Sequence, residues 1–219
     1  MFALQSSFFS TVSAASDDVA LSKPGANLGK NPGAPLRVIL ARFASMPGLS
    51  AEFREEKRIA LLREPLVSQG SIYFAPPERL ARYVRTPIPS IVLLIGNRVS
   101  YDFKGDRGEL DIDSHPMIRG MSSIIRLLLA GNAVGLEKLF SVKAEVVDSD
   151  LWEIFLVPIH APMRDSIATV RVRGAGGKLR ELHIAERNGD ETTTRFSVVD
   201  TTRRFSASEV QQFFRLPES

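Results

Sequence analysis

The chain has 219 residues, 44% of them hydrophobic and 24% charged, and 28 basic against 25 acidic side chains leave a net charge of +3. That balance excludes a disordered chain, and a domain of this size buries roughly 70% of its unfolded surface without a disulfide or metal staple. There is no cysteine, which excludes structural disulfides, zinc–thiolate sites, iron–sulfur clusters and thiol nucleophiles, and no apolar run approaches the roughly 18 residues of a membrane-spanning helix.

Residues 1–34 stand apart from the rest. Asp17, Asp18, Lys23 and Lys30 are their only charges, so the body carries the whole +3. Phe2–Ala15 is mildly apolar and rich in Ser, and Val12-Ser13-Ala14 resembles the small-residue site of a secretory signal. No Lys or Arg precedes it, so the positive region of a signal is missing. The segment reads equally as an incomplete signal or as a disordered tail, and Lys23–Pro35, rich in Gly, Pro and Asn, reads as a linker.

Residues 35–219 then form a single domain. It opens with a helix, since Leu36, Ile39, Leu40, Phe43 and Met46 recur at helical spacing until Pro47-Gly48 ends the run. The period then changes to two. Ser50–Arg58, Gly70–Phe74 and Leu80–Val84 read as strands, and Ile91–Ile95 and Arg98–Phe103 flank the hairpin signal Gly96-Asn97. The helical period returns over Pro116–Phe140, broken at Gly131-Asn132 into two helices. Strands resume at Ser141–Val147, Leu151–Val157, Ile167–Arg173, Lys178–Arg187 and Glu191–Asp200. A last short helix starts at Ser206, with Glu209 three residues on as a capping box. Strands that follow one another through tight turns make a meander rather than a chain of βαβ units. About nine to eleven of them form a mainly β (α+β) fold: a strongly curved antiparallel sheet or unclosed β-barrel, with an N-terminal helix and a helical insert.

The catalytic inventory is thin. His115, His160 and His183 are scattered, and no metalloprotease helix or nucleophile-elbow motif is present. Gly25–Asn31 has the wrong spacing for a phosphate loop, and Gly174–Lys178 leads into a strand rather than the helix N-terminus that such a loop needs. Asp111 and Asp113, or Glu186 and Asp190, sit at loop ends with nothing to mark an acid–base pair. Arg79, Arg82 and Arg85, like Arg171 and Arg173, lack the interleaved aromatics of a nucleic-acid surface. No enzyme activity, metal or cofactor is expected, and no nucleic-acid partner.

The remaining signal is apolar. Met117, Met121, Ile124, Leu127 and Leu128 make the insert unusually greasy, and Leu93, Ile95, Tyr101, Phe103, Trp152, Ile154 and Leu156 occupy alternate strand positions. One reading is an ordinary packed core. The other is a concave sheet whose strand residues line an apolar cavity and whose insert residues form a lid over it. Which face points inward is a choice of parity, since a one-residue slip reverses it.

An ordered series of motifs carries a family resemblance. Phe53-Arg54-Glu55-Glu56-Lys57 is followed by Glu64–Phe74 with its Pro65-Leu66-Val67-Ser68-Gln69-Gly70 core. Pro77-Glu78-Arg79-Leu80, Thr86-Pro87, Ile95–Tyr101 and the closing Phe213-Phe214-Arg215-Leu216-Pro217 come after it. From Leu36 to Pro217 the chain resembles the LolA-like periplasmic outer-membrane lipoprotein carriers. The resemblance implies an unclosed barrel with a helical lid, and a soluble, monomeric periplasmic carrier. Such a carrier binds the acyl chains of a lipoprotein or another lipidated cargo and delivers them toward the outer membrane. It also implies an inner-membrane transporter as donor and an outer-membrane acceptor as recipient. That acceptor is anchored through an N-terminal cysteine, so a cysteine-free chain resembles the shuttle. The family's latch arginine falls on Pro76 here, its tryptophan position on Arg82 with Tyr83 adjacent, and the Gln of its first motif on Glu55. Latch chemistry therefore does not transfer, and the chain is a divergent member. The competing expectation is a periplasmic sensor or scaffold of the same fold that binds a protein partner by a strand edge or apolar patch.

Overall fold

A computed structural model describes residues 34–148 and 150–217, apart from the side chains of Pro116 and Met121. The signal-like tail lies outside the described residues except for its last position. Helix α1 (Ala34–Ala44) leads into six strands: β1 (Leu49–Arg58), β2 (Leu66–Ala75), β3 (Arg79–Thr86), β4 (Ser90–Ile95), β5 (Arg98–Phe103) and β6 (Asp106–Asp111). A 3-10 turn (Ile112–Ser114), α2 (Pro116–Leu129) and α3 (Ala133–Leu139) form the insert. Then come β7 (Phe140–Val146), β8 (Leu151–Pro158), the single-turn α4 (Met163–Ser166), β9 (Ile167–Ala175), β10 (Lys178–Glu186), β11 (Glu191–Asp200) and α5 (Ala207–Phe213).

All eleven strands form one antiparallel sheet in the order β6-β5-β4-β3-β2-β1-β11-β10-β9-β8-β7. Two meanders are thus joined where the first strand pairs with the last. β6 and β7 are the edges, and the sheet does not close between them. The helical insert connects these two edges and lies across the face they flank.

The insert breaks where expected. Gly131 takes a φ of 67°, and a Cβ there would stand 2.8 Å from the Leu40 carbonyl oxygen and from the Ala44 methyl. Only glycine allows both that conformation and that approach to α1. Asn132 then caps α3 by accepting from the Gly135 amide. The capping box at Ser206 and Glu209 is present in both halves. Two elements have no counterpart in the sequence reading. Strand β6 has one large apolar residue, Leu110, and so no alternation to see. The Lys104-Gly105 turn that makes it has positive φ at both residues, the geometry of a tight hairpin. Helix α4 is a single turn.

Both faces of the sheet carry apolar cover, in unequal amounts. On the inner face, Leu36, Ile39, Leu40 and Phe43 of α1 and Ile124, Leu128 and Leu129 of α2 pack on alternate residues of the strands, forming the main core. On the outer face of β2–β4, a smaller cluster of Ala75, Ala81 and Leu93 is covered by Phe214 and the residues of α5. Elsewhere the outer face carries a ladder of charged pairs, with Leu151, Phe155 and Val157 of β8 as apolar exceptions. Glu153 pairs with Arg173 at 2.9 Å, and Arg173, Glu181, Arg195 and Glu56 continue the ladder from β8 to β1.

Candidate functional site: an apolar cavity bounded by charge

A cavity of about 40 Å³ lies between the inner face and the helices. Its wall is Leu49 and Ala51 of β1, Ile72 of β2, Trp152 of β8, Val172 of β9, Leu179 and Leu182 of β10, and Phe196 and Val199 of β11. Its roof is Phe43 of α1 with Ile125, Leu128 and Leu129 of α2. Every lining side chain is apolar. The volume exceeds what one water needs but is far below the roughly 300–1,000 Å³ of a ligand pocket. The space is therefore too small for a long chain, and α2 must shift for one to enter.

The wall is fixed more firmly than the roof. Trp152 donates from Nε1 to the Gly176 carbonyl at 2.9 Å and meets Phe43 edge-on at 5.7 Å. Val198, with a φ of 50°, is an exposed, strained bulge residue, and the register between β1 and β11 shifts beside it. The bulge resets the parity, so that Phe196 and Val199 both reach the cavity. Helix α2, by contrast, has one side-chain bond to the sheet among those described, from Arg126 to the Gly96 carbonyl at 2.8 Å.

One end of the inner face is charged. Continuing along β1 from Leu49 and Ala51, the inward residues are Phe53, Glu55 and Lys57. Arg82 of β3 lays its guanidinium over the Phe53 ring, 4.4 Å from the centroid, and donates to Glu55 at 2.9 Å. The second Glu55 oxygen accepts from Thr194 at 2.9 Å. Lys57 pairs with Glu186 at 3.2 Å, with side chains 9% and 10% exposed. Burial pushes the Glu186 carboxyl above the usual carboxylate range, and Lys57 offsets only part of that. Among the described residues, no three His, Asp or Glu side chains converge as a metal site.

The structure distributes the expected cavity residues over both faces. Trp152, Ile154 and Leu156 are buried on the inner face, and Trp152 lines the cavity. Tyr101 packs against the same core from β5, and Phe103, two residues on, is half-buried. Leu93 and Ile95 lie on the opposite face: Leu93 packs with Ala75, Ala81 and Phe214, and Ile95 is partly exposed. Val92 and Leu94 take the inward positions of β4 instead. The parity assumed for β4 is thus corrected by one residue. The cause is visible in Ile91-Val92-Leu93-Leu94-Ile95: a strand covered on both faces is apolar at every position and loses the alternation that would reveal its inward side.

Of the expected lid residues, Ile124 and Leu128 are buried, and Met117 and Leu127 are half-buried against the core. Leu128 lines the cavity. The Met121 side chain lies outside the described atoms. The sequence reading missed the cavity residues of α1, β1, β2 and β9–β11. Alternation in β1 and β10 marked most of them, but the bulge at Val198 hid Val199. Pro76, at the position of the family's latch arginine, lies in the turn between β2 and β3.

A family model described as outer membrane lipoprotein carrier protein, LolA-like, matches residues 33–212. The chain belongs to this LolA-like family. No curated protein matches it. Among solved structures, this LolA-like chain is similar to a LolA superfamily protein from Nitrosomonas europaea. The two share 8% identity over 83% of this chain and 98% of that one, with a TM-score of 0.45. It is also similar to the Pseudomonas aeruginosa MucA/MucB complex, at 12% identity and a TM-score of 0.50. That match covers 81% of this chain and 61% of the other. At such identities the second likeness speaks for the fold alone. No helix among the described residues is long and apolar enough to cross a membrane.

Proposed function

We propose that this LolA-like protein is a periplasmic carrier that holds the acyl chains of a lipoprotein, or of another lipidated cargo, in the cavity beneath α2 and delivers them toward the outer membrane. The observation that carries the reading is a small cavity with an entirely apolar lining, roofed by a helix with one described side-chain bond to the sheet. Each buried methylene is worth about 0.8 kcal/mol, so a diacyl or triacyl anchor does not cross water unaided. A carrier must bind such an anchor and still release it. Here α2 covers the apolar floor when cargo is absent, and cargo takes over those contacts when it arrives. By analogy with the family, a membrane transporter loads the chain and an outer-membrane acceptor unloads it. The carrier reading needs no catalytic group.

Native mass spectrometry of protein purified from its own compartment, followed by lipid extraction, tests the proposal. A bound acylated species is the expected result and names the cargo class. Empty protein that also fails to take up a fluorescent fatty acyl probe overturns it. A second reading, a scaffold that binds a protein partner, draws on the open edges of the sheet. β6 and β7 each leave one ladder of backbone groups outside the sheet's own pairing, the arrangement that strand addition uses.

A further inference from the structure

We propose that the charged band across the floor of the sheet is the end wall of the acyl cavity, and that Arg82, Glu55 and Thr194 set the length of chain it accepts. The proposal rests on the carrier reading above. Ile72 and Leu182 line the cavity. The cross-strand neighbour of Ile72 on β3 is Arg82, and the neighbour of Leu182 on β11 is Thr194. The surface thus changes from apolar to polar within one strand spacing, about 4.8 Å. Glu55 faces Thr194 across the β1–β11 seam and ties the two sides together, accepting at 2.9 Å from each of Arg82 and Thr194. The Arg82 and Glu55 side chains are 8% and 19% exposed. Lys57 and Glu186 stand behind them as a second buried pair.

A chain that advances past Phe196 meets this band. To go further it must break bonds between ions that have little water left to replace them, or lay methylenes against their charge. A buried pair that is already formed is costly to open, because each ion is then left uncompensated in a place with little water. The Phe53 ring, clamped beneath the guanidinium, cannot swing aside without the same loss. The cavity therefore has a definite end.

The test is a chain-length series. The full chain is titrated with saturated fatty acids of increasing length, read by displacement of a fluorescent fatty acyl probe. Affinity rises about fourfold with each methylene that finds a place in the cavity and stops rising where the chain meets the band. In the double variant Glu55→Met/Arg82→Met the rise continues to longer chains. Replacing both members of a buried pair by apolar residues of similar volume is often neutral or stabilising, so this variant is expected to fold. Leu182→Gln moves the polar band one strand into the cavity and shifts the break to shorter chains. It leaves every charge in place, so it decides the matter alone if the double variant does not fold. A break at the same length as wild type in a folded variant overturns the wall and leaves the carrier reading standing. A wild-type protein that binds no fatty acid of any length overturns the carrier reading and the wall with it.

Discussion

Two helices cover apolar patches on opposite faces of one sheet, and they do so differently. On the outer face α5 is sealed down. Phe213 stacks on Tyr73 at 4.3 Å, Phe205 meets Phe214 edge-on at 5.3 Å, and the Tyr83 hydroxyl donates to the Phe213 carbonyl at 3.0 Å. On the inner face α2 is twice as long, yet it roofs a void and is bonded to the sheet through Arg126. A cover that completes a core leaves no gap and adds directional bonds. A cover that must lift keeps apolar contact and few such bonds. On the proposed carrier reading, the contrast gives stability to one helix and exchange to the other.

Four changes break or sharpen that contrast. The largest effect is expected for Trp152→Ala, which removes the fixed wall of the cavity together with its bond to Gly176. The loss is about 4 kcal/mol, read by urea denaturation, and acyl-probe binding weakens with it. Phe214→Ala unseals the outer cover and costs about 3 kcal/mol. Probe affinity per folded molecule stays at the wild-type value, and a drop in that affinity would show the two faces to be coupled. Leu128→Ala thins the roof beside an existing void. It costs only about 2 kcal/mol and enlarges the site, so fatty acyl uptake becomes faster in stopped-flow fluorescence. The smallest effect concerns the edge hairpin. The Gly105 amide first, and Arg107 second, hold the Asp102 carboxyl below the usual carboxylate range. A lowered carboxyl contributes its full share above its unfolded pKa of about 3.9 and loses it as pH falls through the folded value. Asp102→Asn should therefore flatten the acid limb of the stability curve, lying slightly below wild type at neutral pH and converging on it at acid pH, as read by urea denaturation across pH.

The sequence carried the order of elements well wherever one face was wet. In β10, Leu182 and Ile184 alternate with Glu181 and His183, and only one register fits. The break at Gly131-Asn132 was equally plain, because the residues that end one helix and begin the next are chemically distinctive. Legibility failed in two opposite ways. β4 was too apolar to reveal its parity, since α2 on one side and α5 on the other both demand greasy residues. β6 was too polar to announce itself, since it is an edge with one apolar side chain. The charged band shows a third kind of limit. Glu55, Lys57 and Arg82 look like surface residues in a linear reading. Only the register of five strands brings Arg82, Glu55, Thr194, Lys57 and Glu186 to one end of the inner face.

The seam between β1 and β11 has a kinetic consequence. Each meander is built from hairpins with short loop closures, and each can form from local contacts. The seam joins residues far apart in the chain, such as Phe53 with Phe196, and contacts of that separation form slowly. The cavity straddles this seam, with Leu49 and Ala51 on one side and Phe196 and Val199 on the other. A nascent chain with only its first meander in place has half a lining and no grip on hydrocarbon. On the carrier reading, competence to bind therefore appears only with the last long-range pairing, and a folding intermediate with one meander formed holds no acyl chain.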